Sequence, residues 1–195
     1  MGTYTQNIYL FKALEAYPYE IAKAMEALQY ALSYEPDNVT ALALMARIQI
    51  EQLGDYEAAK EYYQRALASR LDVPEVYPDF IRLLVNYEDF DEAQKLIDFA
   101  KTVKGIDQAG MELAQAMLYE ATGRFQEAED ALKEAKQLAL NGEFIHYVDE
   151  VISRVSKKRQ YVHNKKRKEE TQDKEDPKPE VTKTNWFRDR LNNLL

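Results

Sequence analysis

Side chains suited to acid–base, nucleophilic or metal chemistry are scarce in this sequence. His146 and His163 are its two histidines, and neither lies in a serine or cysteine motif that would suggest a nucleophile. A glycine-rich phosphate loop and an H-E-x-x-H zinc motif are also absent. Carboxylates such as Glu127, Glu129 and Asp130 fit exposed helix faces. The sequence therefore predicts no catalytic residue, no metal site and no cofactor, and it indicates a protein that is not an enzyme.

Potential binding chemistry is concentrated in a run of basic residues. Residues 154–168 carry eight Lys or Arg and no acidic residue. Such a run could bind nucleic acid, an anionic membrane or an acidic partner. Alternatively it is the solvated end of a helix, where positive charge is favourable. The candidate residues of this basic run are Lys157, Lys158, Arg159, Lys165, Lys166, Arg167 and Lys168.

The last eleven residues, NWFRDRLNNLL, form an apolar peptide after a polar stretch. A peptide of this length is marginal as a free helix, so we expect it to order only on contact. It could dock on a separate protein, on its own or a neighbouring subunit, or on a membrane surface. The remaining alternative is a disordered end whose apolar residues are incidental. The candidate recognition residues are Trp186, Phe187, Arg190, Leu191, Leu194 and Leu195.

Charge is distributed unevenly along the chain. Residues 1–153 carry 13 basic and 27 acidic residues (net −14), residues 154–168 carry +8, and residues 169–195 carry five basic and seven acidic residues (net −2). Cysteine is absent, which excludes disulfides and thiolate metal sites and favours a reducing compartment. The sequence begins without a signal-peptide pattern, and no apolar run approaches the roughly 20 residues that span a bilayer. A soluble, cytoplasmic protein is expected.

An internal repeat sets the elements that position these residues. Each of four series of apolar residues recurs at spacings of 35, 34 and 35 residues. This period predicts an array of two-helix units, because one helix pair cannot bury its apolar face alone. The four series are Ala24, Ala59, Ala93 and Ala128; Ala31, Ala66, Ala100 and Ala135; Ile21, Tyr56, Phe90 and Phe125; and Leu28, Tyr63, Ile97 and Leu132.

Residues 4–140 are predicted to form four repeats, at about 4–38, 39–73, 74–106 and 107–140. The first helix places Ile8, Phe11 and Leu14 on one face, and the first helix of the second repeat is one residue too long, with Leu53 extra. A capping helix is predicted at 141–160, because the outer face of the last repeat would otherwise be exposed. The helix could continue through Lys168. A charged linker at 161–184, expected to be disordered from residue 169, and the apolar peptide at 185–195 follow.

The stretch GDYEAAKEYYQRAL, at 54–67, is the clearest copy of the repeat. Its Gly-Asp-Tyr turn followed by an A-x3-[large]-x2-A helix resembles the tetratricopeptide repeat, and Gly123-Arg124-Phe125 opens a similar unit. The pattern departs from the family at its first-helix Trp position, where Leu42 and Tyr77 stand. The resemblance implies an all-α helical-repeat solenoid with a C-terminal capping helix and a disordered tail.

The resemblance also implies a groove lined by the first helix of each repeat. The residues at those positions form an apolar strip with two arginines, which is typical of a peptide-in-groove receptor. The Lys/Asn/Arg set with which chaperone-binding members hold a terminal carboxylate is missing, so chaperone tails are not expected partners. The candidate groove residues are Tyr9, Ala43, Arg47, Ile50, Pro78, Arg82, Val85, Leu113, Met117 and Glu120.

The sequence thus predicts a non-enzymatic protein–protein interaction adaptor or scaffold. Its groove would bind a partner peptide or helix, and its C-terminal peptide would dock on a second protein or another subunit. One alternative is a protein that associates with nucleic acid or a membrane surface through the basic run. The other is a self-assembling structural protein that forms homo-oligomers through its C-terminal peptide.

Overall fold

A computed structural model describes residues 7–175, without the side chains of residue 166 and of residues 168–175. Its described part contains helices and turns and no strand, which confirms the all-α prediction. A π-helical segment, Gln49–Leu53, directly continues α3, and a short 3-10 helix, Pro74–Val76, precedes α5. The α-helices are α1 (Ile8–Ala16), α2 (Ile21–Tyr34), α3 (Val39–Ile48), α4 (Tyr56–Ser69), α5 (Tyr77–Asn86), α6 (Phe90–Ala100), α7 (Gln108–Ala121), α8 (Phe125–Leu138) and α9 (Gly142–Glu175).

Short polar side chains start several of these helices. The carboxamide oxygens of Asn7 and Asn38 accept hydrogen bonds from backbone N–H groups three residues on, at 3.3 and 3.0 Å, and the Asp55 carboxylate does the same at 3.0 Å. A cap of this kind contributes roughly 1 kcal/mol, because it satisfies a donor that the first helical turn leaves without a partner. Asn7, Asn38 and Asp55 therefore mark where α1, α3 and α4 begin.

The repeat alanines lie at the centre of the array. All eight, from Ala24 to Ala135, are completely buried, and Leu28, Tyr63, Ile97 and Leu132 are at most 2% exposed. Small alanines let neighbouring helices approach closely, and the large residues fill the space between them. The predicted packing register is confirmed at each of these positions.

The π-helical segment takes up the extra residue that the sequence indicates near Leu53. A π-turn closes its hydrogen bonds over five residues instead of four, so one additional residue fits without shifting the helix before it. The backbone N–H of Gly54, which has a left-handed φ of 66°, ends the segment by donating to the Gln49 carbonyl. The segment carries Ile50, one of the predicted groove residues.

The start of α9 caps the last repeat. Val148, Val151 and Val155 are at most 2% exposed and pack with Ala128 and Leu132 of α8. Phe144 and Ile152 are partly buried against the same cluster. This confirms the predicted capping helix, and a further contact joins it to α8, since the Lys136 ammonium lies 2.6 Å from the carboxylate of Asp149.

The chain divides into two compact units, Met1–Val155 and Ser156–Leu195. The first contains α1 to α8 and the capping part of α9. In the second, the described residues continue as helix to Glu175, so the disorder predicted from residue 169 is wrong for residues 169–175. The physical reason is composition: these residues contain no glycine, and the first proline after them is Pro177. Residues 176–184 and the peptide 185–195 lie outside the described part of the chain.

The first helix differs from the others in what it leaves uncovered. Ile8, Phe11 and Leu14 share a face of α1, as predicted, but they are 59%, 62% and 47% exposed. Ala13, on the other side, is completely buried against α2 and α3. An apolar face therefore remains at the first helix of the array.

Candidate functional site

The predicted groove residues come together only at the middle of the array. Arg47 of α3, Ile50 of the π-helical segment and Arg82 of α5 line one depression of about 250 Å³, which we call the α3–α5 depression. That volume lies below the roughly 300–1,000 Å³ typical of small-molecule sites, so it fits a side chain of a partner better than a cofactor. Six further residues complete its lining: Glu51, Tyr63, Asp79, Leu83, Asn86 and Tyr87.

Two arginines share one carboxylate inside this depression. The Arg47 guanidinium donates to Oδ2 of Asp79, and Nη2 of Arg82 donates to Oδ1 of the same residue at 2.8 Å. The Asp79 side chain is 19% exposed, against 42% for Arg47 and 58% for Arg82. The hydrogen bond to Asp79 raises the pKa of Arg47 above its ordinary value. The carboxylate thus holds both guanidiniums in place at the mouth of the depression.

Glu51, which also lines the depression, belongs to a second polar pair. The Tyr17 hydroxyl, just after α1, donates to Oε2 of Glu51 at 2.5 Å. Burial raises the pKa of Tyr17, and the hydrogen bond to Glu51 adds to the effect. This contact joins the first repeat to the π-helical segment. With Asp79 and Glu51, two carboxylates balance the two guanidiniums, so the depression offers both donors and acceptors.

The floor and edge of the depression are aromatic and apolar. Tyr63 of α4 is 2% exposed and stacks on Phe80 with ring centroids 5.3 Å apart, and its burial raises the pKa of its hydroxyl. Tyr87, directly after α5, is 46% exposed and stacks on Tyr56, with ring centroids 4.6 Å apart. A partner side chain entering here would meet rings below and charged hydrogen-bonding groups at the rim.

The other predicted groove residues take different positions. Ala43 and Val85 are half-buried against the core around the depression, and Pro78 is exposed. Tyr9 lies in a separate depression between α1 and α2, where its ring stacks on Tyr34 at 5.6 Å. None of these four residues lines the α3–α5 depression.

The predicted groove residues of α7 are partly engaged by the cap. Leu113 packs against the cluster that α8 and α9 share, and Met117 is half-buried. The Glu120 carboxylate accepts hydrogen bonds from Nε and Nη2 of Arg154 at 3.0 and 2.7 Å. Glu120 therefore ties α7 to the capping helix, a role that the groove assignment did not anticipate.

Sequence reasoning missed Asp79, Glu51, Tyr63 and Tyr87 as parts of the site. One signal was present for Asp79, since it precedes Arg82 by three residues on a helix, a spacing at which opposite charges meet. Its contact with Arg47 joins two repeats and has no local signature. Tyr63 was assigned to the core, and the structure shows that it is both core and floor of the depression.

The basic run lies in the second unit except for Arg154, which pairs with Glu120 in the first. Lys157, Lys158, Lys165 and Arg167 are exposed and Arg159 is half-buried, while the side chains of Lys166 and Lys168 lie outside the described set. The helix places Lys158 and Lys165 seven residues apart, on one face. The recognition residues Trp186, Phe187, Arg190, Leu191, Leu194 and Leu195 lie outside the described part of the chain.

The histidines show no grouping that suggests chemistry. Nε2 of His146 lies 3.6 Å from Oε1 of Glu150 on the exposed side of α9, and His163 is also exposed. In the described range, no three His, Asp or Glu residues are arranged to hold a metal ion. None of the described helices is both long enough and apolar enough to cross a membrane.

Comparison with known proteins finds the same repeat in two stretches of the chain. Residues 19–77 and residues 113–141 each match a model of the tetratricopeptide repeat. No curated protein matches the sequence. Both matched stretches are therefore tetratricopeptide repeats, as the spacing of the alanines and turns predicts. These repeats are generally non-enzymatic interaction modules, so the fold supports protein–protein interaction as the class of function.

Several solved structures share the fold. PilF of Pseudomonas aeruginosa is 19% identical with a TM-score of 0.67, over 80% of this chain and 70% of that one. PilW, a type IV pilus biogenesis factor, is 19% identical with a TM-score of 0.65, over 82% and 78%. MamA of Desulfovibrio magneticus is 14% identical with a TM-score of 0.59, over 83% and 94%. At these identities the likeness is one of fold alone.

Proposed function

We propose that this protein is a non-enzymatic adaptor that binds a partner peptide or helix in the α3–α5 depression. Its C-terminal peptide would dock on a second protein or on another subunit, so that one molecule joins two partners. The geometry of Arg47, Asp79 and Arg82 carries the first half of this proposal. The apolar composition of residues 185–195 carries the second half.

The paired arginines favour a peptide because they are held in position before any partner arrives. Arg82 has five N–H donors and is 58% exposed, although Nη2 is already bonded to Asp79. Donors therefore remain for a carbonyl or carboxylate of the partner, while Ile50 and Leu83 offer apolar contact beside them. A preorganised site loses less side-chain entropy on binding than a mobile one.

Selection from a library of short synthetic peptides, followed by fluorescence anisotropy, tests the depression. Peptides selected by the unmutated chain should bind Arg82→Ala about tenfold more weakly, because a well-placed arginine is a common anchor of an interface. The matched control is Arg70→Ala, which removes an exposed arginine that pairs with Asp72 outside the depression. Equal affinities for the unmutated chain and for Arg82→Ala would show that the peptides bind elsewhere.

The exposure of Lys157, Lys158, Lys165 and Arg167 favours the second candidate function, in which the basic run binds nucleic acid or an anionic membrane. Anisotropy with labelled RNA and DNA at two salt concentrations, and flotation with anionic lipid vesicles, test it. Binding that falls with salt, and that is lost when Lys165, Lys166, Arg167 and Lys168 are changed to Gln, would support this candidate. The absence of binding at low salt would remove it.

A further inference from the structure

The exposed face of α1 has the properties of an interface. Ile8, Phe11 and Leu14 follow one another at three-residue spacing and line a concavity with Asn7 and Leu10. Single exposed apolar residues are normal, but a contiguous group of large ones marks a binding surface more often than a solvated one. In a repeat array the end helices are expected to present polar outer faces. The α1 face breaks that rule.

The two ends of the array differ in how far their apolar residues are covered. At the end formed by α8, the valines of α9 cover the last repeat and are almost completely buried. At the end formed by α1, no described residue covers the three apolar side chains to the same degree. Among the described residues, the first helix therefore has no cover equivalent to the one that α9 provides for the last repeat.

An apolar segment lies outside the described part of the chain. Twenty residues follow Glu175, and they end in NWFRDRLNNLL. As a short helix, this segment would place Phe187, Leu191 and Leu194 on one side, which matches the narrow apolar stripe of α1. Charges of both signs are present on each side, because Lys12 and Glu15 are exposed on α1 and the segment carries Arg188, Asp189 and Arg190, so ion pairs can form across the contact.

We propose that the C-terminal peptide of one copy docks on the α1 face of a second copy. The inference deepens the proposed docking role of the peptide and rests on it. A second copy is the favoured source because α9 packs on α8, at the other end of the helix order from α1. A contact between two different surfaces joins copies head to tail, which gives rings or open chains.

The first test measures the contact with a labelled synthetic peptide of residues 185–195. Fluorescence anisotropy should show saturable binding to the chain that ends at Thr184, which keeps α1 and lacks the peptide. The double variant Phe11→Gln, Leu14→Gln of that chain should bind about tenfold more weakly, since truncated apolar anchors usually cost at least that much. The control is Leu71→Gln, which removes an exposed leucine of the loop before α5.

The second test uses complementation in the full-length chain. Light scattering should show a mass that rises with concentration for the unmutated protein, and a monomer both for the Phe11→Gln, Leu14→Gln variant and for the chain ending at Thr184. Mixing these two proteins should produce a one-to-one complex, because one supplies the peptide and the other supplies the α1 face. Thermal melts would establish that both variants are folded.

Four results would overturn the proposal. They are no binding of the labelled peptide, equal binding to the α1 double variant, a full-length chain that stays monomeric at all concentrations, and an oligomer that persists without residues 185–195. The last would indicate that α1 faces pair with each other or that residues 1–6 mediate the contact. The peptide-library experiment is independent, since a chain with an inactive α3–α5 depression would still self-associate.

Discussion

Glu88 adopts a left-handed backbone conformation. Glycine adopts this conformation at the same position in two other repeats. The φ of Glu88 is 64°, close to the 66° of Gly54 and the 76° of Gly123, which stand at the same place in the second and fourth repeats. A residue with a Cβ pays roughly 1 kcal/mol or more in this left-handed region. We expect Glu88→Gly to raise the free energy of unfolding by roughly 0.5–1 kcal/mol, measured by urea denaturation.

The reverse substitution at Gly123 is the matched control. A Cβ built there meets no atom within 4 Å, so backbone strain is the only effect that Gly123→Ala introduces. It should lower the free energy of unfolding by about 1 kcal/mol. If Glu88→Gly were neutral or destabilising while Gly123→Ala behaved as expected, the third turn would have to owe its shape to contacts of the Glu88 side chain.

Asp89 should make the protein sensitive to acid. Its carboxylate accepts hydrogen bonds from the Lys60 ammonium and, at 3.0 Å, from the Tyr56 hydroxyl. The contact with Lys60 is the main reason that the pKa of Asp89 lies below its ordinary value. The unfolded chain then binds this proton more readily than the folded one, so the stabilisation is present above the unfolded pKa and is lost as pH falls through the folded value.

Asp89→Asn tests this link because it removes the titration and keeps the shape of the side chain. We expect the variant to be less stable near neutral pH, and to lose less of its remaining free energy of unfolding than the unmutated chain between about pH 5 and pH 2. Asp91→Asn, an exposed carboxylate two residues away, controls for the loss of one negative charge. Parallel pH profiles for Asp89→Asn and the unmutated chain would contradict the prediction.

The buried alanines could be predicted from the sequence, whereas the contact between Arg47 and Asp79 could not. The buried alanines were predictable because their spacing repeats and because a helix period places them on one face. The contact between Arg47 and Asp79 was not, since it depends on how two helices from different repeats face each other. Sequence reasoning therefore located Arg47 and Arg82 individually, and the carboxylate that holds them together became visible only in three dimensions.

Among the elements, the π-helical segment makes a specific prediction about chain length. Deleting Leu53, which is 56% exposed, should convert the segment to regular α-helix and change the free energy of unfolding by less than about 1 kcal/mol. The control is deletion of Lys133, an exposed residue inside α8. That deletion rotates the following residues by about 100° and displaces Ala135 from the core, so it should cost several times more. Circular dichroism during urea denaturation measures both.

A similarly large loss from both deletions would mean that the π-turn is required by its surroundings and does not simply absorb an extra residue. The sequence comparison between repeats indicated the additional residue near Leu53, but it could not show which hydrogen bonds would change. Propensity and period describe regular helices, and a π-turn is a departure from both. The segment also carries Ile50 and Glu51, so its geometry sets one side of the α3–α5 depression.

The length of α9 illustrates the opposite error. Polar, charged composition suggested a disordered linker from residue 169, yet the described helix reaches Glu175. Lys, Arg, Glu and Gln are strong helix formers, so low hydrophobicity alone does not end a helix. The better signal for a boundary was the Asp176-Pro177 step, because the residue before proline disfavours helical conformation.

At the scale of the molecule, each repeat of an array is stabilised by contacts with its neighbours. The stability of the end repeats therefore depends on what covers their outer faces. The last repeat depends on α9, since Val148, Val151 and Val155 bury Ala128 and Leu132 from outside. The contact between Arg154 and Glu120 fixes the same helix to α7. Residues after Val155 belong to the second compact unit, so they should contribute little to the stability of the first.

Two truncations separate these contributions. A chain that ends at Gln160 keeps the whole buried face of α9, and its thermal midpoint should stay within a few degrees of the full-length value. A chain that ends at Leu140 exposes the outer face of α8. It should melt at a clearly lower temperature and bind a hydrophobic dye such as ANS, because the apolar cluster loses its cover. If the chain ending at Gln160 were destabilised as strongly as the chain ending at Leu140, the described boundary at Val155 would not separate the stabilising part of α9 from the rest. The second unit would then stabilise the fold of the repeats, in addition to any role that its basic residues have in binding a partner.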